Sequence, residues 1–443
     1  MLDRTLESVL INSARHYPVV TVTGPRQSGK TTLCRKVFAE KKYVSLENMD
    51  TRIFAMEDPR GFLAGLPDGA ILDEIQHVPE LSSYIQTLVD EDQRNGLFIL
   101  TGSQQFEVAT TINQSLAGRT ALLKLLPFSL NELGYHQEGV SLNGLLLTGF
   151  YPRIWREGLS PARAMADYIE TYVERDIRQL VAVKDLTLFQ RFTTLCAGRV
   201  GQLLNLNSLA ADCGISHQTA RNWLTLLEAS YIVFRLPPYF ANIAKRLVKS
   251  PKLYFYDVGL AANLLGLESE LHVSRDPLRG NLFENMVVME ALKYRLHSGR
   301  RSNLHFYRDS NGNEVDLLLN YGSDLFPVEI KAGMTLNKDY FKGLRAFAKV
   351  FELPLGAGLL YAGEKRQQRQ AILVRPAREI HLLLAEMENQ FDLKQNTHFD
   401  PSQGWYWTKE WQEAEADVDE EIEKDQLSPK FETAGEGLKW LKK

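Results

Sequence analysis

The chain reads as an α/β protein: a parallel sheet with crossover helices, then a winged helix-turn-helix, then a second α/β unit. Three observations predict it. Over residues 1 to about 150, short apolar segments alternate with helical ones, the pattern of strands joined by crossover helices. Near the N-terminus a glycine-containing turn at residues 24–31 separates a β-branched run from a helix-forming one. Late in the chain, segments at 312–320 and 325–331 carry charged residues two apart, which places them on one face of adjoining strands.

Strands are expected near residues 19–23, 43–46, 70–73, 97–101 and 121–126. The first, Val19-Val-Thr-Val-Thr23, runs into Gly24-Pro-Arg-Gln-Ser-Gly-Lys-Thr31, a complete G-x-x-x-x-G-K-[ST] phosphate-binding loop, and residues 32–38 continue as a helix. The first unit is therefore expected to be a P-loop NTPase sheet. Its glycines let backbone N–H groups curl around phosphate, and the helix N-terminus adds partial positive charge. Gly24, Pro25, Arg26, Gln27, Ser28, Gly29, Lys30, Thr31 and Thr32 are the expected contacts to ATP. Lys30 would reach the β- and γ-phosphates, and Thr31 would ligate Mg²⁺. An ordinary glycine-rich turn gives no reason for Lys and Thr to follow the second glycine.

Residues 69–76 read Gly-Ala-Ile-Leu-Asp-Glu-Ile-Gln, an apolar strand ending in two carboxylates. Asp73 is expected to hold Mg²⁺ and Glu74 to polarise the attacking water, two tasks that hydrolysis needs and mere binding does not. The bland alternative is a strand followed by a solvated acidic turn. Residues 97–103 form another apolar strand ending in small polar residues, and Ser103, or else Thr101 or Gln104, would sense the γ-phosphate.

A chain of 443 residues with 44% hydrophobic and 24% charged residues has room for more than one ordinary globular domain. No run approaches the ~20 apolar residues of a membrane span, and the N-terminus lacks a secretory pattern. Cys34, Cys196 and Cys213 lack metal-ligand spacing and read as reduced thiols of a cytoplasmic protein. The net charge of −4 is uneven: residues 401–443 carry eleven Asp/Glu and six Lys/Arg, leaving the body near neutral. Bulk charge gives no argument for nucleic acid. Two acid-free stretches are locally basic, one with Arg235, Lys245, Arg246, Lys249 and Lys252, the other with Lys293, Arg295, Arg300, Arg301 and Arg308.

A packed helix is expected over residues 161–180. Residues 196–256 read as the winged helix-turn-helix. A first helix lies within residues 203–213, with Asn207 or Ser208 as N-cap. Gly214 makes the turn, and Ser216 caps a second helix over residues 217–228. Strands at 231–236 and 252–256 would flank a basic wing. Two uses stay open: DNA contact through Ser216, His217, Gln218, Thr219 and Arg221 with the wing on phosphates, or packing as a lid or oligomer contact.

In the last unit, Asp316 on one strand and the pair Glu329 and Lys331 on the next match the PD-(D/E)xK nucleases, and Glu284 in the preceding helix completes the set. Carboxylates would hold Mg²⁺ while Lys331 orients the nucleophile. A simple surface pair is the competing reading of Glu329 and Lys331.

Taken together, residues 19–33, 71–76, 100–103, 115–120, 126–130, 313–316 and 328–333 resemble the bacterial and archaeal AAA-type ATPases with a conserved C-terminal domain of unknown function. The resemblance covers about residues 1–390. It implies ATP binding and, in the C-terminal half, a winged helix joined to a nuclease-like fold. It also implies that Arg119, just before the last core strand, points at a neighbouring subunit's γ-phosphate in a homo-oligomer; the alternative is an arginine at a helix end. The tail departs from this family. Its aromatic-rich, then acidic, stretch from Gly404 to Lys424 and residues 431–441 resemble the toxin-wrapping segment of AbrB-type antitoxins, so a protein partner is one expectation and a disordered or self-packing tail the other. The expected boundaries are 1–150 for the P-loop domain, 151–195 for a helical linker, 196–256 for the winged helix, 257–390 for the nuclease-like domain and 391–443 for the tail.

Overall fold

The computed structural model describes residues 2–103, 115–173, 185–239, 250–351, 353 and 356–396. The chain divides into a unit of residues 1–386 and a second of residues 387–443. The first begins with α1 (Leu6–His16), β1 (Val19–Thr23), α2 (Lys30–Val37), β2 (Lys42–Ser45), α3 (Met49–Glu57) and α4 (Pro59–Ala64). It continues with β3 (Ala70–Asp73), α5 (Leu81–Asp92), β4 (Phe98–Gly102) and β5 (Thr120–Lys124). The five strands form one parallel sheet in the order β2-β3-β4-β1-β5.

Alternate residues of these strands feed two cores, which is why they are apolar on both faces. Val19, Leu72, Phe98 and Leu100 pack with Ile85 and Val89 of α5. Val20, Val22, Ile71 and Ile99 pack with Leu6, Leu10 and Leu33 on the other face. The expected strands are present, with three shifted by one or two residues. β2 starts at Lys42 and β5 stops at Lys124 because the chain leaves the ladder once its backbone partners end.

Four short helices follow: α6 (Leu130–Leu133), α7 (Leu142–Thr148), α8 (Pro152–Glu157) and α9 (Pro161–Tyr168). The continuous helix expected over 161–180 is corrected here. α9 ends at Tyr168 and the chain widens into a π-helical stretch, Ile169–Val173; the remainder of that expectation falls outside the described residues.

Next come α10 (Leu186–Ala197), α11 (Leu206–Cys213), α12 (His217–Ala229) and an antiparallel hairpin of β6 (Val233–Leu236) and β7 (Lys252–Phe255). The N-cap expected at Asn207 or Ser208 is Asn205, whose side chain accepts from the Ser208 amide at 3.1 Å. The helix starts later than residue 203 because Leu203 and Leu204 run alongside the hairpin, with Leu204 N donating to Pro251 O at 2.8 Å. Gly214, at φ +78°, makes the turn, and Ser216 caps α12 by accepting from Thr219 N at 3.0 Å.

The last part holds α13 (Val258–Leu264), α14 (Glu270–Arg275), α15 (Arg279–His297), β8 (Leu304–Arg308), β9 (Glu314–Tyr321) and β10 (Asp324–Lys331). After α16 (Lys342–Ala348) come β11 (Ala357–Tyr361), β12 (Gln367–Arg369), β13 (Ile372–Pro376) and α17 (Ile380–Asn396). Six strands form a mixed sheet in the order β12-β13-β11-β10-β9-β8. Cys34, Cys196 and Cys213 are free and buried. No helix among the described residues is long and apolar enough to cross a membrane.

Candidate functional site

Because β1 lies between β4 and β5, the chain following it emerges at a switch in strand order, where open α/β sheets bind ligands. The loop from Gly24 to Gly29 fills that place. Gly24 has φ +152°, and a Cβ there would stand 2.0 Å from Leu125 O, so only glycine lets the loop pass the end of β5. Lys30 is buried, and its Nζ donates to Gly24 O at 3.0 Å and Pro25 O at 2.9 Å. Burial lowers its pKa, against the pull of Glu74 and Asp73.

β3 and β4 end beside the loop. Thr31 Oγ1 donates to Asp73 Oδ1 at 2.8 Å, Thr101 donates to the same oxygen, and Tyr43 OH donates to Oδ2 at 2.8 Å. Glu74 takes a left-handed conformation, φ 59°, unusual for a residue with a side chain. Its Oε2 accepts from Ser103 Oγ at 2.8 Å, from Ser103 N at 3.3 Å and from Gln76 Nε2. Burial pushes its pKa up, but Lys30 and the Gln76 hydrogen bond outweigh that and hold it below the usual carboxylate value. Thr101 thus steadies Asp73 while Ser103 steadies Glu74. Gln104 lies outside the described residues.

A cleft of about 610 Å³ opens over Arg26, Gln27, Gly29, Lys30, Thr31, Thr32, Asp73 and Glu74. Sequence reading missed its other wall: α8 brings Pro152, Arg153, Arg156 and Glu157 across from the loop. An adjoining cavity of about 440 Å³ shares Gly29, Thr32, Pro152 and Arg156 and is walled by Phe128, Tyr135 and Trp155. Arg4 was missed too. Its guanidinium donates to Ser28 O at 2.7 Å and Leu126 O at 2.6 Å, bracing the loop from behind. No local pattern marks Arg4, Arg153 or Arg156. The donor set fits a magnesium nucleotide: a hydroxyl and a carboxylate converge beside a buried lysine, and Ser28 Oγ is buried without a hydrogen-bond partner. Arg119 stands elsewhere. It precedes β5, at the opposite end of the sheet from the loop, and its Nε and Nη2 pair with Asp90 at 2.5 and 2.8 Å.

Beside the six-stranded sheet, Glu284, Asp316, Glu329 and Lys331 come together, and a residue not expected there joins them. Lys252 of β7 is buried among them, with Nζ 2.8 Å from Glu284 Oε1, 2.5 Å from Glu314 Oε1 and 4.0 Å from Asp316 Oδ1. Lys331 Nζ lies 3.0 Å from Asp316 Oδ2 and 2.5 Å from Glu329 Oε1. Burial raises the Glu329 pKa to about 8, with Asp316 adding to the rise. Among the described residues, no group of three or more His, Cys, Asp or Glu side chains is arranged to hold a metal ion.

Lys252 therefore does not belong to a phosphate-facing wing. Lys293 likewise leaves the second basic stretch: it is fully buried, 2.8 Å from Glu290 and 2.7 Å from Phe128 O. Arg235 pairs with Glu228 at 2.5 Å, while Lys245, Arg246 and Lys249 lie outside the described residues. On α12 and its cap, Ser216, His217, Gln218 and Arg221 are exposed and Thr219 is half-buried.

The fold and the loop define a class, the P-loop ATPases of AAA type. A family model described as "AAA domain" matches residues 16–134. Two models described as domains of unknown function, DUF8612 and DUF4143, match residues 140–271 and 279–380. Two curated proteins, "Uncharacterized protein Rv2008c" of Mycobacterium tuberculosis and "Uncharacterized protein Mb2031c" of Mycobacterium bovis, are each 32% identical over 377 residues, 83% of this chain and 81% of theirs. The chain belongs to their family, and its own matches make it an ATP-binding AAA ATPase followed by domains of unknown function. Among solved structures, a Walker-type ATPase of Pyrococcus abyssi is similar at 17% identity and TM-score 0.39, over 60% of this chain and 96% of that one.

Proposed function

We propose that the protein is a Mg²⁺-dependent ATP hydrolase whose nucleotide cycle governs its C-terminal half, and that this half meets DNA. The adjacency of Asp73, held by Thr31 and Thr101, and Glu74, held by Ser103, carries the hydrolysis reading. Bound Mg²⁺ supplies neutralisation of the charge that develops on the phosphates. Thr31 and Asp73 would hold it, and Lys30 would turn from the loop carbonyls to the β- and γ-phosphates. Glu74 orients the attacking water, and Ser103 keeps its carboxylate in place. Phe128, Tyr135 and Trp155 offer the base an apolar slot beside the phosphate cleft. Arg119 lies at the opposite end of the sheet from its own cleft, so any part it takes in hydrolysis is at a neighbouring copy's site, the alternative being a structural pair with Asp90.

DNA contact rests on two capped helices, α11 and α12, followed by a hairpin, the order of a winged helix-turn-helix, with Ser216, His217, Gln218 and Arg221 exposed on one face. A second reading is favoured by Lys252: a nucleotide-gated regulator without phosphodiester cleavage, whose residues 398–443, outside the described part, bind a protein partner such as a toxin.

The test is ATP hydrolysis with and without linear, forked and single-stranded DNA. Lys30→Ala should abolish nucleotide binding. Glu74→Gln should bind ATP yet turn over about 10²–10⁴-fold more slowly. Wild-type turnover equal to that of Lys30→Ala would sink the enzyme reading, and rates untouched by any DNA would sink the DNA reading alone.

A further inference from the structure

We propose that Lys252 is the resident cation of the acidic centre, its ammonium filling the position a divalent metal would need, so that the centre is closed to metal and locks the β6–β7 hairpin to the C-terminal sheet. Three carboxylates from two elements converge on one nitrogen: Glu284 of α15 and Glu314 and Asp316 of β9. Mg²⁺ would require oxygens at about 2.0–2.1 Å in near-octahedral array. A lysine nitrogen already stands among these oxygens, with the Phe306 ring 5.6 Å from it.

Further contacts also engage these three carboxylates. Tyr254 OH donates to Glu284 Oε1 at 2.5 Å, Ile330 N donates to Asp316 Oδ2 at 2.8 Å, and Arg308 lies 3.1 Å from Glu314 Oε2. With Lys331 on Asp316 and Glu329, three cations face four carboxylates, and Glu329 Oε2 is left buried without a hydrogen-bond partner.

The lysine is delivered by a fixed backbone. Leu253 N donates to Gln202 O at 3.0 Å, and Gly201 N donates to Leu253 O at 2.7 Å. Asn285, beside Glu284, clasps the same strand through Phe255 N at 2.6 Å and Phe255 O at 3.0 Å. Withdrawing Lys252 therefore means moving the hairpin, which ties the ionic centre to the helix-turn-helix.

The test uses the full chain without nucleotide, in an Asp73→Asn background that silences the P-loop metal position, with Mn²⁺ binding read by electron paramagnetic resonance. The background protein should bind no Mn²⁺ that depends on Asp316. Adding Lys252→Ala should create one Mn²⁺ site per chain, lost again on adding Asp316→Asn. It should also lower Tm by several degrees, with part of the loss recovered in Mn²⁺. Should Lys252→Ala fail to fold, Lys252→Met keeps the aliphatic stem and reads the same gain. Mn²⁺ bound by the background protein and lost on adding Asp316→Asn would overturn the proposal. So would a folded Lys252 variant that takes up no additional Mn²⁺.

Discussion

Glu132 gathers groups from two distant parts of the chain and from its own turn. Its Oε1 accepts from Thr5 N at 2.9 Å and lies 3.2 Å from Arg4 Nε and 3.3 Å from His297 Nδ1, while Oε2 accepts from Ser129 N at 2.9 Å. Burial alone would raise its carboxyl, but His297 and Arg4 more than offset that and hold it well below the usual carboxylate range. A carboxyl depressed in the folded state stabilises above its unfolded value of about 4.3 and loses that contribution as pH falls toward the folded value. Glu132→Gln should thus be less stable than wild type at pH 7, with the gap in urea midpoint narrowing below about pH 4. Parallel midpoints across that range would contradict the assignment. The capping box Ser129-x-x-Glu132 is visible in the sequence. Arg4 and His297 are not, because nothing local records a partner more than 120 residues away.

At the scale of elements, α15 shows what periodicity hides. It is buried on several faces, from Leu282 and Phe283 to Leu292 and Lys293, so it lacks the single apolar stripe of a surface helix. Near its start Glu284 meets Lys252. At its end His297 Nε2 accepts from Leu126 N at 3.1 Å, close to the strut that Arg4 makes to the phosphate loop. The basic stretch read around Lys293 was half core, because a buried lysine paired with Glu290 and lying 3.9 Å from the Phe150 ring spells the same as an exposed one. Helix starts are more legible. Ser216 could be named in advance because its cap is local; Asn205 was missed by two residues because the hairpin claims Leu203 and Leu204. Asn205→Ala should cost about 1 kcal/mol, read as a lower urea midpoint with unchanged slope. An unchanged midpoint would mean the cap contributes nothing.

Across the whole described unit, the chain between α12 and β6 touches the strand that leads into the phosphate loop. Tyr231 is fully buried, and its hydroxyl donates to Thr23 Oγ1 at 3.0 Å, on the last residue of β1 before the loop. A change at the loop thus has a physical route to the hairpin that carries Lys252. Arg119 supplies the complementary expectation between copies. Arg119→Ala should bind ATP but not hydrolyse it. Mixing it with Lys30→Ala should restore partial turnover, since each variant then lends the group the other lacks. Full activity of Arg119→Ala alone, or no recovery in the mixture, would remove arginine sharing between subunits.

By itself the sequence determined the nucleotide sheet, the phosphate loop and the Asp73–Glu74 pair. These depend on spacing along short segments: a β-branched strand, a glycine with no room for a Cβ and a helix start are properties of neighbours in the chain. It also named Glu284, Asp316, Glu329 and Lys331 as one group. Only the tertiary structure decided what that group encloses, because Lys252 arrives from a hairpin 32 residues before Glu284, and a lysine's charge in a sequence says nothing of whether water or three carboxylates surround it. The same long-range packing set Arg4 behind the loop, Arg153 and Arg156 across the cleft, and Tyr231 against Thr23.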